Sequence, residues 1–445
     1  MARAIKMSLM AMTLLLSCGA VMAQSSNVGT FSPYTMYGIG ELATPGTIST
    51  RSMGGAGVAM RNATTINMLN PAGQANVMRK SIIFNFGVEG GGYYLSQYTY
   101  GEDLRKSAYN NYNFRDIALQ IPLASGLGLL FSVNPYSSVG YTSISSQQLV
   151  DVGQIDYVFT GSGGINEAKL SLGYRLYNKL SIGVAARYYW GTILRSFSAY
   201  PSVVTGSGTY GSTLGSAEYS ISKIMAQFGI MWSPLVKRDK ILNFGATFDI
   251  GGNLDPYVEK YVIGSSSYID VVAQSYLGNE VLYMPTETTA GFSYQNEKWN
   301  ISADYTYKTW GRNTELVSTI DGVEVGYNNT STYKAGFEYV PNRGDIRSYY
   351  KRMGYRAGAR YGDYYQNYNG VTMNECAVTS GVSFPIKYGS LSRLDLGVEW
   401  GMLGSRDILE TTTGSMGLIK QHSFKISVGL MLFGDDYWFH RPKFD

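Results

Sequence analysis

Two histidines, His422 and His440, and two cysteines, Cys18 and Cys376, are all this chain offers for zinc or thiol chemistry. A structural Cys/His zinc site needs four such ligands held together, and Cys18 falls in an N-terminal leader, so a metal centre of that kind has no raw material. A Ser-His-Asp hydrolase would need a Gly-x-Ser-x-Gly nucleophile elbow, and neither histidine has one to serve. The glycine cluster Met53-Gly54-Gly55-Ala56-Gly57-Val58-Ala59 is the other candidate. It fits neither the Gly-x-Gly-x-x-Gly nor the P-loop spacing, and no strand precedes it, so it is not a phosphate cradle. The expectation is therefore no catalytic residue, no metal, no cofactor and no enzyme. What remains is steric work. Gly54, Gly55 and Gly57, followed by Leu69-Asn70-Pro71-Ala72-Gly73, would let backbone pack tightly in a confined space.

The elements that could provide such a space begin with export. Arg3 and Lys6 precede an apolar run, Met7 to Leu16, and small residues end at Val21-Met22-Ala23 before Gln24. That order is a secretory signal peptide over 1–23. The run falls short of the ~20 residues of a membrane-spanning helix. Lipoprotein processing at Cys18, after Leu15-Leu16-Ser17, is the competing reading, and a closed barrel has no need of a lipid anchor. Cleavage after Ala23 would leave Cys376 alone, so no intramolecular disulfide could form. It would also remove Arg3 and Lys6, leaving 34 basic residues against 32 acidic ones, a net of +2. That balance points away from nucleic acid as a partner.

Composition narrows the exported chain. Charged residues make up 15% of the 445, where soluble domains carry about 25%. Tyrosine alone supplies 38 residues and glycine 53, yet no stretch after residue 23 is apolar enough for a membrane helix. Membrane barrels reconcile these facts, because lipid-facing residues alternate with lumen-facing ones and aromatics gather at the interfaces.

Periodicity agrees. Ala168, Leu170, Leu172, Tyr174 and Leu176 share one face of a strand, and Glu167, Lys169, Ser171, Gly173 and Arg175 the other. After Tyr177-Asn178-Lys179, Leu180, Ile182, Val184, Ala186, Tyr188 and Trp190 face one way, and Ser181, Gly183, Ala185 and Arg187 the other. A charge on the lipid side would cost about 2–4 kcal/mol near the midplane, so the charged face is assigned to the lumen. The pattern recurs in about fourteen segments: 81–98, 112–123, 127–142, 165–176, 180–196, 217–233, 240–252, 284–295, 298–310, 331–340, 354–365, 373–384, 391–403 and 419–433. Short turns at 124–126, 177–179, 296–297 and 385–390 should be periplasmic. Longer connections at about 101–111, 143–164, 197–216, 253–283 and 311–330 should face outward. A soluble β-sandwich would not explain that alternation of long and short connections.

The expected fold class is thus an all-β transmembrane antiparallel barrel of about 14 strands with an N-terminal hatch in the lumen, in the outer membrane of a Gram-negative bacterium. Its parts are a signal peptide (1–23), an N-terminal extension and hatch (24–80), the barrel (81–433) and a periplasmic C-terminal tail (434–445). Residues 24–80 do not alternate, and the apolar content of Met53 to Leu69 argues against a disordered tail. Asn134-Pro135 interrupts the run Leu127, Leu129, Phe131, Val133, and proline cannot donate to a ladder. It marks a kink, a bulge or a strand end.

The glycine-rich stretch Met53–Ala59 with Asn70-Pro71-Ala72 resembles the hatch of the FadL/TodX-type outer membrane transporters of long-chain fatty acids and aromatic hydrocarbons. Further likeness lies in Pro285, Gly291, Tyr294, Trp299, Ala303-Asp304-Tyr305 and Trp310. It continues in Tyr333-Lys334-Ala335-Gly336-Phe337-Glu338-Tyr339 and Arg356-Ala357-Gly358-Ala359-Arg360-Tyr361. The resemblance runs from about residue 50 to the C-terminus. It implies a 14-stranded hatched barrel through which a hydrophobic ligand diffuses and leaves sideways at a kinked strand. Gly54, Gly55, Gly57, Asn70, Pro71 and Ala72 would then gate, and Asn134 and Pro135 would mark the lateral exit. The chain departs from that pattern in a longer N-terminal extension and in residues 435–445 after the last strand. Two function classes follow: passive transport of a hydrophobic small molecule, or a non-transporting accessory barrel of a larger outer membrane assembly such as barrel insertion or secretion machinery. Membrane lipids, a hydrophobic small molecule and outer membrane complex partners are the expected associates.

Overall fold

The computed structural model describes residues 29–76, 82–98, 104–149, 153–201, 212–237, 240–264, 275–276, 282–310, 318–320, 323–386, 391–411 and 414–433. The expected signal peptide, Cys18, His440 and the expected periplasmic tail lie outside the described residues.

Fourteen antiparallel strands close into a barrel. The first seven are β1 (Ile83–Gln97), β2 (Arg105–Ala124), β3 (Leu127–Leu149), β4 (Gly153–Tyr177), β5 (Leu180–Pro201), β6 (Thr213–Val236) and β7 (Lys240–Asp249). The rest are β8 (Thr286–Asn296), β9 (Trp299–Thr309), β10 (Thr330–Tyr339), β11 (Gly354–Tyr368), β12 (Val371–Pro385), β13 (Arg393–Leu403) and β14 (Ile419–Phe433). Each pairs with its neighbours in sequence, and β1 pairs with β14 from Ile83↔Phe433 to Gln97↔Ile419 to close the ring. Closure matters physically, since an open sheet edge in hydrocarbon would leave backbone groups without partners.

Each expected segment corresponds to one barrel strand. The expected loops fare less well. Residues 143–164 are mostly strand: β3 and β4 pair from Leu127↔Tyr174 to Leu149↔Gly153, far past the apolar zone. Strand also reaches into 101–111, into 197–216, and into 253–283, where Tyr257–Gly264 extends the pairing of β6. These outer arms have no lipid face, so alternation fades there while hydrogen bonding continues. Connection lengths are also less regular than expected. Asn369-Gly370 turns β11 into β12 at the outer end in two residues, both with positive φ (49° and 76°), as a tight hairpin requires. At the periplasmic end, β10 and β11 are joined by residues 340–353, which contain a helical turn, Tyr349–Arg352.

The two faces are as expected. Leu170, Leu172 and Ile230 are 48%, 41% and 46% exposed toward the bilayer, whereas Lys169 and Gln227 are 4% exposed and turned inward. On the lumen side a belt of glycines runs round the wall. Gly87 pairs with Gly429, Gly381 with Gly397, Gly336 with Gly358, Gly245 with Gly291, and Gly183 with both Gly173 and Gly229. Residues 46–76 fill the lumen at this level. A Cβ on Gly173 would lie 2.5 Å from the Pro71 carbonyl oxygen, and one on Gly245 would lie 2.7 Å from that of Val58. Methyl groups at Gly183, Gly336 and Gly358 would overlap the backbone of Pro71 and Met53. Wall and plug therefore touch backbone to backbone, which only glycine permits.

Gly183→Val and Gly358→Val should each lower stability by about 1–3 kcal/mol or more, the cost of overpacking a filled interior. Gly264→Ala, in open space, should be neutral. Urea unfolding of the reconstituted barrel, followed by its gel-mobility shift, would measure all three.

Candidate functional site

The plug is built from short turns. Thr47 leads into the single helical turn Ile48–Arg51, which ends at Ser52. Gly54 and Gly55 then adopt φ of +70° and +79°, a conformation that turns the chain back on itself and that side chains resist. Gly54 N–H donates to Thr379 Oγ1 of β12 at 2.8 Å. Gly57 N–H and Val58 N–H both donate to Asp304 Oδ2 of β9, at 2.7 and 2.9 Å. One wall carboxylate thus clamps two successive plug amides. Asn67 Nδ2 donates to the Gly57 and Met60 carbonyls (3.1 and 3.0 Å), folding the second half of the plug onto the first. Asn70 Nδ2 donates to Val58 O at 3.0 Å and to Ile230 O of β6 at 3.1 Å, while its Oδ1 accepts from Ala72 N–H at 2.9 Å. Pro71 then starts the 3₁₀ turn Pro71–Asn76, where a missing N–H costs nothing. All six expected hatch residues are therefore brought together inside the lumen, and they are buried.

Charge locks the plug above the belt. Arg51 pairs with Glu89 of β1, which also accepts from Ser427 Oγ at 2.9 Å. Around the wall, Arg187 bridges Glu167 (2.9 Å) and Asp249 (2.7 Å), Lys308 meets Glu287 (3.0 Å), and Arg360 meets Glu399 (2.8 Å) and Glu375 (3.1 Å). Lys425 reaches Glu41 of the N-terminal segment at 3.2 Å. Below the belt, Arg356 joins Glu338 and Asp395 (2.6 and 3.4 Å), and Ser49 of the plug donates to Asp395 at 2.7 Å. Lys169 donates to Met68 O at 2.8 Å. Each buried charge is thus paired or hydrogen-bonded, the condition for leaving water.

Apolar packing seals both ends. On the outer side, Tyr34 and Ile39 of the N-terminal segment join Tyr141, Ile165, Tyr189, Ile193, Trp310, Tyr364, Tyr365 and Tyr368 in one cluster. Trp310 stacks on Tyr365 at 4.4 Å. On the periplasmic side, Ile66 and Met68 pack against Ile83, Leu130, Met431 and Phe433. Between these layers lies a space of about 60 Å³ lined by Asn134, Pro135, Tyr136 and the charged ring. It suits water and is far below the roughly 300–1,000 Å³ of ligand sites.

The wall has an incomplete seam between β2 and β3, and Pro135 is at its head. β2 and β3 pair from Ala124↔Leu127 only as far as Ile117↔Val133. β3 then bulges between Pro135 and Ser137 in its pairing with β4. A bulge and the end of one ladder coincide there. The N-terminal segment covers the edge so freed. Glu41 and Leu42 pair with Ser138 and Ser137, Ala43 N–H donates to Tyr136 O at 2.9 Å, and Ser32 N–H donates to Gly140 O at 2.9 Å. On the β2 side, Asn111 and Asn113 side chains donate to Gly29 O (2.7 and 2.6 Å), and Phe31 stacks on Tyr109 at 4.9 Å. A cavity of about 790 Å³ remains, lined both by the lumen residues Glu41, Arg51, Glu89 and Lys425 and by Trp190, Thr192 and Leu194, whose alternation turns them outward. The residue pattern had marked Pro135. It carried no signal for the two-residue strand at Glu41, for Arg51, or for the outer aromatic layer, all of which depend on contacts distant in sequence.

Asp304→Ala removes two charge-assisted bonds at once. It should cost about 3–6 kcal/mol of unfolding free energy, at roughly 1.5–3 kcal/mol per bond. Ser302→Ala, whose Oγ has no partner among the described residues, should cost much less in the same urea titration.

Comparison with known proteins follows the fold. The Pseudomonas putida toluene transporter TodX superimposes with a TM-score of 0.56 at 15% identity, covering 89% of this chain and 99% of that one. A Pseudomonas aeruginosa FadL homologue gives 0.56 at 12%, covering 88% and 99%. The CymD monoaromatic hydrocarbon channel gives 0.53 at 13%, covering 91% and 98%. The FadL/TodX resemblance therefore holds for the fold, and the chain is a Gram-negative outer membrane barrel. No curated protein matches it. A family model, BamG, matches residues 3–445. The chain belongs to the BamG family.

Proposed function

We propose that this barrel is a non-transporting accessory subunit of a larger outer membrane assembly, of the barrel-insertion or secretion kind. The packed lumen carries the reading. An acyl chain gains roughly 0.8 kcal/mol per buried methylene only where apolar space receives it, and here the interior is occupied by a wedged plug, a charged ring and an aromatic layer. Membership in a family named apart from the hydrocarbon channels supports the same view. The plug then acts as a core that stiffens the barrel, and Gly54, Gly55, Gly57, Asn70, Pro71 and Ala72 seat it instead of gating. No catalytic role is assigned.

A second reading has its own observation. The 790 Å³ cavity at the β2–β3 seam is large enough for a ligand and is lined from both faces of the wall. It supports passive transport of long-chain fatty acids or similar hydrophobic molecules, leaving sideways by Asn134 and Pro135. TodX and CymD are described as a toluene transporter and a monoaromatic hydrocarbon channel.

Extraction from the native outer membrane in mild detergent separates the two. The accessory role predicts co-purification with large partners and unchanged long-chain fatty acid uptake in cells lacking the protein. A solitary monomer, together with lost uptake, would overturn it in favour of transport.

A further inference from the structure

A notch interrupts the lipid-facing surface of β1. Most outward positions near the middle of these strands, such as Phe86, Val88, Phe114, Phe424 and Ile426, carry large apolar residues. Gly90 and Gly92 have no side chain, and Asn110 lies beside Gly92. The result is a groove of about 870 Å³, floored by these glycines. Phe424, Ile426 and Val428 wall it on the β14 side, and Tyr112 and Phe114 on the β2 side. Glycine inside a strand weakens it, and commonly marks the close approach of something else.

The rim above the groove is cationic. Ser96 of β1 pairs with Lys106 of β2 on one side and Lys420 of β14 on the other. Both lysines share the outward parity of Tyr112 and Phe424, and their backbones lie two strand spacings apart, about 10 Å. Arg406 joins them, its Nε donating to Ser96 Oγ at 3.2 Å, and it is near enough to His422 to act on it together with Lys420. Among the described residues no carboxylate pairs with Lys106, Lys420 or Arg406. The rim stands about 13 Å along the strand from Gly92, at four residues of ~3.3 Å each. That separates headgroup height from the hydrocarbon of the outer leaflet.

We propose that this face is a binding site for an outer-leaflet lipid bearing phosphate and several acyl chains. Lys106, Lys420 and Arg406 hold the phosphate, and the Gly90–Gly92 groove holds an acyl chain. The apolar groove opens to the bilayer and, among the described residues, its rim carries positive charge with no carboxylate paired to it, a combination that fits a phosphorylated lipid. The proposal concerns the outer wall and does not depend on what the lumen does.

Native mass spectrometry of the full-length protein in detergent tests it, with hexa-acylated bis-phosphorylated lipid A as the probe. One lipid A should remain bound to the unaltered protein. The double variant Lys106→Glu/Lys420→Glu should lower occupancy at least tenfold, as should Gly92→Leu, which fills the floor. The rim variant lies at the ends of two strands, on the exposed Lys106 and the half-buried Lys420, so it keeps the test valid if Gly92→Leu fails to fold. Unchanged occupancy in the rim variant, equal retention of phosphatidylcholine, or full displacement by inorganic phosphate would overturn the assignment. A photo-crosslinking residue at position 112 should capture lipid, and a captured polypeptide would equally overturn it.

Discussion

Backbone-to-backbone contact between wall and plug is the constraint on which the rest of this protein depends. A fourteen-stranded barrel has a lumen too wide for its own side chains to fill, and this chain fills it with its N-terminal segment instead. Close approach is possible because Gly173, Gly183, Gly245, Gly336 and Gly358 present bare backbone at the level of Pro71, Val58 and Met53. Once the segment is that close, Asp304 can reach two plug amides and Arg51 can reach Glu89. The buried charges are then tolerable, since each finds a partner along the wall or across the narrow gap between wall and plug.

The same segment explains how a broken ladder survives in a membrane wall. Pro135 removes a donor, β3 bulges, and the β2–β3 pairing stops at Val133. Unpaired strand edges at membrane depth are costly unless protein covers them. Glu41, Leu42 and Ala43 supply that cover to β3, and Gly29 is held by the side chains of β2. One stretch of chain therefore serves as plug and as caulking, and its two roles stabilise each other.

Much of this was legible from residue order, for a local reason. Side-chain parity is decided residue by residue, so Leu170 and Lys169 declare their faces wherever a bilayer lies on one side. The outer arms of β3 and β4 escaped notice because no bilayer lies against them, and the run Ser143 to Gln148, Ile144 apart, is polar on both parities. Gly173 and Gly183 were visible singly on a lumen face. The belt itself appears only when register sets Gly336 beside Gly358. Pro135 announced itself, because proline acts through its own missing N–H. Glu41 and Arg51 did not, because their roles are fixed by Ser138 and Glu89 across the fold. The likeness to hydrocarbon channels captured the shape of the wall, and the contents of the lumen had to be read from contacts.

A barrel of channel-like fold whose lumen is filled by a seated plug at the glycine belt should behave as a closed wall. Planar-bilayer recording on the purified full-length protein tests that claim most directly. The account predicts a membrane whose conductance does not rise above baseline after insertion, verified by protease-accessible outer loops. Reproducible unitary conductance steps from the unaltered protein would contradict it.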